Sequence, residues 1–211
     1  MFDEKIIVYE DDSLLVVNKP AGVLTVPTPK QEKYTLTAIL DNILKKRGLK
    51  INAFPCHRLD RETSGLIIYA KSRAIQDAMM RQFKDRLVKK KYIAFIQGLI
   101  KSPSGVISFP IEGKEAVTKY KLLQRRKGYS IIEAELKTGR TNQIRIHFKM
   151  IGHPLLGERK FAFGKDSRIK FRRAALHASE IQFAHPVNGS ILSFSSRLPD
   201  DMNKLIGSLN Y

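Results

Sequence analysis

The polar residues with the greatest chemical potential fall in one short segment, residues 57–65, which reads His-Arg-Leu-Asp-Arg-Glu-Thr-Ser-Gly. It directly precedes an apolar stretch that predicts a buried strand, and loops at strand ends commonly carry reactive groups. Asp60 stands between Arg58 and Arg61, which would keep its carboxylate ionised and able to act as a nucleophile or a general base. The structural alternative is that Asp60 fixes a turn by accepting backbone N–H groups near Thr63.

A second polar segment, residues 137–147, reads Lys-Thr-Gly-Arg-Thr-Asn-Gln-Ile-Arg-Ile-His. Thr141 or Asn142 can cap the helix that its apolar spacing predicts, and a helix N-terminus favours anions. Arg140 and Arg145 would reinforce that preference, so the segment suits a phosphate site or an arginine paired with a buried carboxylate. The structural alternative is a capped helix with two surface arginines.

Composition limits the classes of protein. The chain has 211 residues, a net charge of +18 and 43% hydrophobic residues, enough for a folded core. It lacks an apolar run long enough to cross a bilayer, and its single cysteine suits a reducing, cytoplasmic compartment. We find no glycine-rich nucleotide loop and no metal-ligand spacing, so we expect neither a cofactor nor a metal.

The positive charge is concentrated in residues 81–91, with a net charge of +5, and residues 159–173, with a net charge of +6. Each run alone is typical of a solvated surface, but together they indicate a phosphate-binding surface and favour RNA or DNA as partner. Phe161, Phe163 and Phe171 lie within the second run and could stack on bases or anchor a loop in the core. A basic membrane-surface protein is the alternative, but no basic amphipathic helix with a strong apolar face supports it.

The elements that must position these segments follow from periodicity. We predict one α+β domain spanning residues 1–211, with a mixed, largely antiparallel sheet flanked by helices. The predicted strands cover 6–9, 14–18, 65–70, 91–97, 105–110, 117–123, 130–136, 175–181 and 191–194, and the predicted helices follow Thr35, run from 72 to about 87, and cover 143–151.

Taken together, the motifs resemble the RluA-type pseudouridine synthases. Residues 57–65 resemble the signature of that family, and further blocks occur in the family's order: Val-Asn-Lys-Pro-Ala-Gly at 17–22, Lys-Tyr-Ile-Ala at 91–94, Gly-Arg-Thr-Asn-Gln-Ile-Arg at 139–145, Gly-His-Pro-Leu-Leu-Gly at 152–157, Leu-His-Ala at 176–178 and Phe-Ala-His-Pro at 183–186. The resemblance implies the pseudouridine synthase catalytic fold and an enzyme that isomerises uridine in RNA to pseudouridine without a cofactor.

The same resemblance implies roles for individual residues. Asp60 matches the essential aspartate, which either attacks C1′ of the sugar or acts through a glycal by removing a sugar proton. Tyr92 matches a tyrosine that stacks on the target base, and Arg145 matches an arginine that pairs with the aspartate. Arg58 matches an arginine that fills the gap left by the flipped-out uridine, since the glycosidic bond is inaccessible in a stacked helix.

The remaining site residues complete the prediction. We expect Leu66 and Ile144 to line the pocket, and we expect contacts to RNA from these residues: His57, Arg58, Arg61, Lys89, Lys90, Arg140, Arg172 and Arg173. The chain departs from the family at Asn142, where a histidine is usual, and this puts fine RNA contacts in question. It also begins almost at the catalytic hairpin, so an N-terminal RNA-binding module of the S4 type is not expected.

The compact form resembles members that act on a stem-loop of ribosomal or transfer RNA, and we expect a monomer. Neither the target uridine nor the RNA class can be read from the sequence, because such recognition depends on shape. The alternative function is a non-catalytic RNA-binding protein on the same fold, which would bind RNA without needing Asp60.

Overall fold

The computed structural model of the chain describes residues 4–161 and 169–208. The described residues form two compact units. The first comprises the chain up to Lys89 together with Glu180–Ser196, and the second comprises Lys90–Ser179 together with the chain from Arg197. Both units contain strands and helices, so the α+β class predicted from the sequence is confirmed.

The first unit contains paired strands and two helices. Its elements are β1 (Ile7–Glu10), β2 (Leu14–Lys19), α1 (Leu36–Lys46), β3 (Phe54–Pro55), β4 (Ser64–Ala70), α2 (Arg73–Lys84), the end of β9 (Leu176–Ala184) and β10 (Ile191–Ser195). Strand β2 pairs antiparallel with both β1 and β4, and β10 pairs antiparallel with β9. All seven residues of β4 are buried, as the apolar run Leu-Ile-Ile-Tyr at 66–69 predicts for its centre.

Local side-chain contacts explain where the elements of the first unit begin. In the turn between β1 and β2, the Asp11 carboxylate accepts the backbone N–H groups of Ser13 and Leu14, each at 2.7 Å. Helix α1 begins after Thr35, whose hydroxyl accepts the N–H of Ala38 at 3.2 Å. The predicted hairpin and the predicted cap are both confirmed.

The second unit contains an antiparallel sheet and two helices. Its elements are β5 (Lys89–Gln97), β6 (Ser104–Ile107), β7 (Thr118–Arg126), β8 (Tyr129–Leu136), α3 (Gln143–Met150), the start of β9 and α4 (Asp200–Ser208). The strand order runs β5, β8, β7, β6, with antiparallel pairing throughout these four. Phe95, Tyr129, Leu156 and Met202 form its apolar core.

Two helices differ from the sequence prediction. Helix α2 ends at Lys84 rather than near Leu87, because the chain leaves the helix at Asp85 and Arg86 takes a positive φ of 60°. Leu87 is therefore exposed. Helix α4 was not predicted at all, although acidic residues fill its first turn and Met202 enters the core.

Candidate functional site

Asp60 lies in a turn immediately before β4, within a segment we call the Asp60 loop (residues 57–63). The backbone N–H of Thr63 donates to the Asp60 carbonyl oxygen at 3.1 Å, so the main chain of Asp60 closes the turn. Leu59 and Thr63 are buried on either side, whereas Asp60 is half-buried. The loop thus anchors its flanking residues in the first unit while keeping the Asp60 side chain partly accessible.

A buried lysine holds one side of this loop. Lys19 is fully buried at the end of β2, and its ammonium donates to the carbonyl oxygens of Pro20 at 3.0 Å, Val23 at 2.7 Å and Arg61 at 3.3 Å. The Arg61 carbonyl also accepts the N–H of Gly22 at 2.8 Å, and Arg61 Nε returns a bond to the Gly22 carbonyl at 3.1 Å. A buried charge must be compensated, and here main-chain dipoles from two loops compensate it.

A buried threonine holds the other side. The Thr25 hydroxyl donates to the Leu59 carbonyl at 3.0 Å and lies 3.2 Å from the Leu59 N–H, which donates to it. Leu59 therefore has both of its backbone polar groups bound to one side chain. With Arg61 held by Lys19, the main chain is fixed on both sides of Asp60. Neither Lys19 nor Thr25 was predicted as a site residue.

The other residues of the segment take different positions. His57 accepts the N–H of Ile68 at its Nε2 atom, at 3.1 Å, and its ring lies 4.8 Å from that of Phe83, so it is partly packed into the first unit. Arg58 and Arg61 are exposed, so both are accessible to a partner. Leu66, predicted as a pocket wall, belongs to the apolar core of this unit.

Arg145 is the centre of a group in the second unit that we call the Arg145 cluster (Asn142, Arg145, Glu158 and Phe161). Arg145 Nε donates to Glu158 Oε2 at 2.6 Å and Nη2 donates to Oε1 at 2.7 Å, a two-point ion pair. Nη1 donates to Asn142 Oδ1 at 2.8 Å, and the Phe161 ring lies 5.1 Å from the guanidinium. Glu158 and Phe161 were not assigned a role with Arg145 from the sequence.

Asn142 departs from its predicted role. It occupies the N-cap position of α3 in the left-handed conformation, with φ of 56°, but its side chain makes no capping hydrogen bond. The amide oxygen instead accepts from Arg145. The prediction that the Asn142 side chain caps the helix by a hydrogen bond is therefore wrong, because that side chain is turned toward the arginine three residues later.

Gln143 organises the loop before α3. Its amide oxygen accepts from the Thr138 hydroxyl at 2.8 Å and from the N–H of Arg140 at 3.0 Å, and its amide nitrogen donates to Thr118 Oγ1 and the Val117 carbonyl, each at 3.0 Å. Such a fully bonded buried amide rigidifies its surroundings. The loop that leads to Arg145 is thereby tied to strand β7.

Tyr92 and Ile144 are both buried in the second unit. Tyr92 lies on β5 opposite Ala134 of β8 and is 6% exposed. Ile144, predicted to line the pocket, is 3% exposed at the start of α3, next to Arg145.

The basic residues predicted to contact RNA differ in accessibility. Lys89 and Arg172 are exposed, and Arg140 is half-buried with its Nε bound to the Glu115 carbonyl at 2.9 Å. Lys90 is partly buried, its ammonium lies beside Gly139, and burial lowers the pKa of Lys90 to about 8.

Arg173 takes a structural position. It is 7% exposed and bound to both carboxylate oxygens of Asp201 in α4, at 2.7 and 3.0 Å, and to the carbonyls of Ala174 and Leu176. The prediction that Arg173 contacts RNA therefore loses its support, because its guanidinium is already engaged inside the second unit. Phe171 packs against the core of that unit, which favours the loop-anchor interpretation, while Phe163 lies outside the described residues.

No helix within 4–161 and 169–208 is long and apolar enough to cross a membrane. Within the same ranges, no three histidine, cysteine or acidic side chains come together as a metal site.

Comparisons with known proteins identify the family. The family model described as RNA pseudouridylate synthase matches residues 13–150. The chain is 37% identical over 220 residues to the "Uncharacterized RNA pseudouridine synthase YlyB" of Bacillus subtilis, covering 96% of this chain and 72% of that protein. It is 34% identical over 207 residues to the "Dual-specificity RNA pseudouridine synthase RluA" of Haemophilus influenzae, covering 90% and 92% of the two chains.

Among solved structures, the fold matches "Human RNA Pseudouridylate Synthase Domain Containing 4" with a TM-score of 0.82 and 23% identity, covering 97% of this chain and 93% of that one. This likeness supports the fold, and the sequence relatives support the activity. The family resemblance carried by the motif at residues 57–65 and the blocks around it is thus confirmed. The chain belongs to the RNA pseudouridylate synthase family and is an RNA pseudouridine synthase, an isomerase.

Proposed function

We propose that this pseudouridine synthase isomerises specific uridines in a stem-loop of ribosomal or transfer RNA, with Asp60 as its essential carboxylate and residues 1–211 serving as one catalytic domain. The observation that carries the proposal is the fixed main chain around Asp60. Lys19 holds the Arg61 carbonyl and Thr25 holds both polar groups of Leu59. A reacting group held in place before substrate arrives avoids the entropy cost of being ordered during the reaction.

The proposed chemistry needs no oxidation or reduction. The N1–C1′ bond of uridine breaks, the base rotates, and a C5–C1′ bond forms while C5 loses a proton and N1 gains one. In one route, an Asp60 carboxylate oxygen attacks C1′ and uracil leaves with the electron pair of the glycosidic bond; C5 of the rotated uracil then attacks C1′ and displaces the carboxylate. In the other, Asp60 removes a proton from C2′ of the sugar and uracil leaves to give a glycal; C5 then bonds to C1′ as Asp60 returns the proton to C2′. Both routes need an ionised carboxylate, and both begin with the base flipped out of its stack.

Further roles are proposed from the family motifs. Tyr92 stacks on the base and assists proton removal from C5, and Arg145 supplies positive charge for the reaction. Arg58 is exposed and enters the space vacated by the flipped uridine.

The RNA backbone is gripped by exposed cations of the two basic runs, including Lys89 and Arg172, together with Arg140. Lys90, with its lowered pKa, carries only part of a positive charge near pH 8 and contributes less. We propose that the protein acts as a monomer in the cytoplasm.

The test uses unmodified transcripts of ribosomal and transfer RNA, incubated separately with the protein and mapped chemically for pseudouridine. We expect pseudouridine at one or a few positions in one RNA class, none with Asp60→Asn, and unchanged positions with Asp200→Asn. Asp200 is a matched control because it is exposed in the first turn of α4. Absence of product from both RNA classes, or product from Asp60→Asn equal to that of the control, would overturn the proposal.

A further inference from the structure

Glu158 is a fully buried carboxylate beside Arg145, a residue of the proposed site. Its side chain has no exposed surface, and its oxygens accept four hydrogen bonds. Two come from Arg145, at 2.6 and 2.7 Å, and two come from the N–H groups of Lys160 at 2.9 Å and Phe161 at 3.2 Å. Glu158 therefore connects the Arg145 guanidinium to the backbone of Lys160 and Phe161, directly after Glu158 in the chain.

The position of Glu158 is itself fixed by its neighbour. Gly157 has a φ of 71°, and a Cβ atom there would overlap the backbone carbonyl of Arg173. Only glycine fits this close approach of two main-chain segments without displacing one of them. The close approach holds the backbone next to Glu158 against the chain at Arg173, so the carboxylate projects from a rigid base.

The contacts hold Arg145 at its tip. Glu158 takes the Nε–Nη2 edge, Asn142 accepts from Nη1, and the Phe161 ring lies at 5.1 Å. An arginine side chain has many rotamers, and holding it in one of them costs conformational entropy. A rigid partner on one edge determines where the Nη1–Nη2 edge is directed.

We propose that Glu158 is a positioning residue that holds the Arg145 guanidinium in its working orientation for uridine isomerisation. The inference rests on the role proposed above for Arg145 and adds a residue for which neither sequence motif nor family block provides a function.

Energetics favour positioning over simple stabilisation. A buried ion pair loses much of its attraction to the cost of removing both charges from water, so its presence is weak evidence for stability. Apolar residues of similar volume in place of both partners often give an equally stable protein. Burial raises the pKa of the Glu158 carboxyl, but hydrogen bonds from Arg145 and the backbone outweigh this and hold the pKa below its ordinary value. The carboxylate is therefore fully charged toward Arg145 at neutral pH.

The first test compares Glu158→Gln with Asp201→Asn. Each variant removes the charge of a carboxylate that binds a buried arginine at two points in the second unit, but only Glu158 contacts a proposed site residue. With RNA labelled with tritium at uridine C5, we expect Glu158→Gln to lower kcat by about 10- to 100-fold with KM changed less than about threefold. Asp201→Asn should retain kcat. Equal kcat values for Glu158→Gln and wild type would overturn the inference while leaving the proposed function intact.

The second test asks whether Glu158 acts through Arg145. In an Arg145→Lys background, adding Glu158→Gln should lower kcat by less than about twofold, because the group to be positioned is already altered. A full additional loss would show an independent, structural role and contradict the inference. If Glu158→Gln does not fold, Glu158→Asp replaces it, because the shorter carboxylate cannot reach both Arg145 and the backbone N–H groups.

A third measurement does not depend on activity. In wild type, the Arg145 Nε–H resonance should be resolved and slow to exchange with solvent in nitrogen-15 NMR spectra, and in Glu158→Gln it should broaden. An Arg145 resonance that is unchanged in the variant would overturn the inference, even if the protein proved inactive on every RNA and the proposed function were wrong.

Discussion

The Asp60 loop and the Arg145 cluster hold their central residues in opposite ways. In the first unit, a buried cation and a hydroxyl bind the main chain on either side of Asp60. In the second unit, a buried anion binds the tip of Arg145 directly. The difference follows from side-chain length. A short aspartate is aimed by its own backbone, whereas a long arginine must be fixed at its far end.

The two kinds of support should respond differently to mutation. Damage to the supports of the Asp60 loop should lower stability and activity together, since main-chain bonds are lost. Removing a single contact to the Arg145 guanidinium, such as that from Asn142, should lower activity more than stability, because Glu158 still compensates the charge of the arginine.

The largest effect is expected for Lys19→Met. The variant leaves the carbonyls of Pro20, Val23 and Arg61 without their charged donor, and buried unsatisfied acceptors are costly. We expect the free energy of unfolding in urea to fall by about 3 kcal/mol, with faster amide hydrogen exchange across the Asp60 loop and a large loss of turnover. Lys33→Met, at an exposed position of the same unit, is the control and should change none of these three quantities. A stable Lys19→Met protein with normal exchange in the loop would show that Lys19 does not hold the main chain around Asp60.

A smaller effect is expected for Asn142→Gly. Glycine accepts the left-handed conformation of this position without strain, so the variant removes the amide contact to Arg145 and little else. We expect kcat to fall by about 3- to 10-fold, the loss of one hydrogen bond to a charged group, with the melting temperature nearly unchanged. Asn142→Ala should show the same loss of kcat and an additional loss of stability from backbone strain. Full activity of the glycine variant would mean that Arg145 does not need its Nη1 contact.

The smallest effect is on stability in acid. Burial raises the pKa values of Glu158 and Asp201, but hydrogen bonds from their arginines outweigh it, so both lie below their ordinary values in the folded protein. Their stabilisation is therefore present in full above about pH 4.5 and is lost as the pH falls through the folded-state pKa values.

In urea unfolding measured between about pH 5 and pH 3, Glu158→Gln should show a shallower loss of stability than wild type. Asp201→Asn should differ less from wild type, because the Asp201 side chain is 46% exposed. A steeper pH dependence in Glu158→Gln would contradict the charge assignment in the Arg145 cluster.

Sequence patterns predicted much of the fold because its signals are local. The cap at Thr35, the turn at Asp11 and the apolar run of β4 each depend on residues a few positions apart. Helix α4 carried a usable signal, two acidic residues directly after Pro199, followed by apolar residues at helical spacing.

The supports of the site could not be predicted in the same way. Glu158 lies 13 residues from Arg145, and Thr25 lies 34 residues from Leu59, so each contact exists only once the chain has folded back. Fully buried lysines are rare, so composition favours an exposed Lys19. Arg173 shows the converse error, because a basic run does not reveal which of its guanidinium groups turns inward to an acid such as Asp201.

In our proposal, the carboxylate of Asp60 carries out the isomerisation and does not merely close a turn. Single-turnover tritium release from C5-labelled RNA distinguishes these two roles, with Asp60→Asn and wild type both saturated with the same RNA. We predict equal RNA affinity and a rate for Asp60→Asn at least about a thousandfold below wild type. Tritium release by the variant within a few fold of the wild-type rate would show that Asp60 is not the catalytic carboxylate.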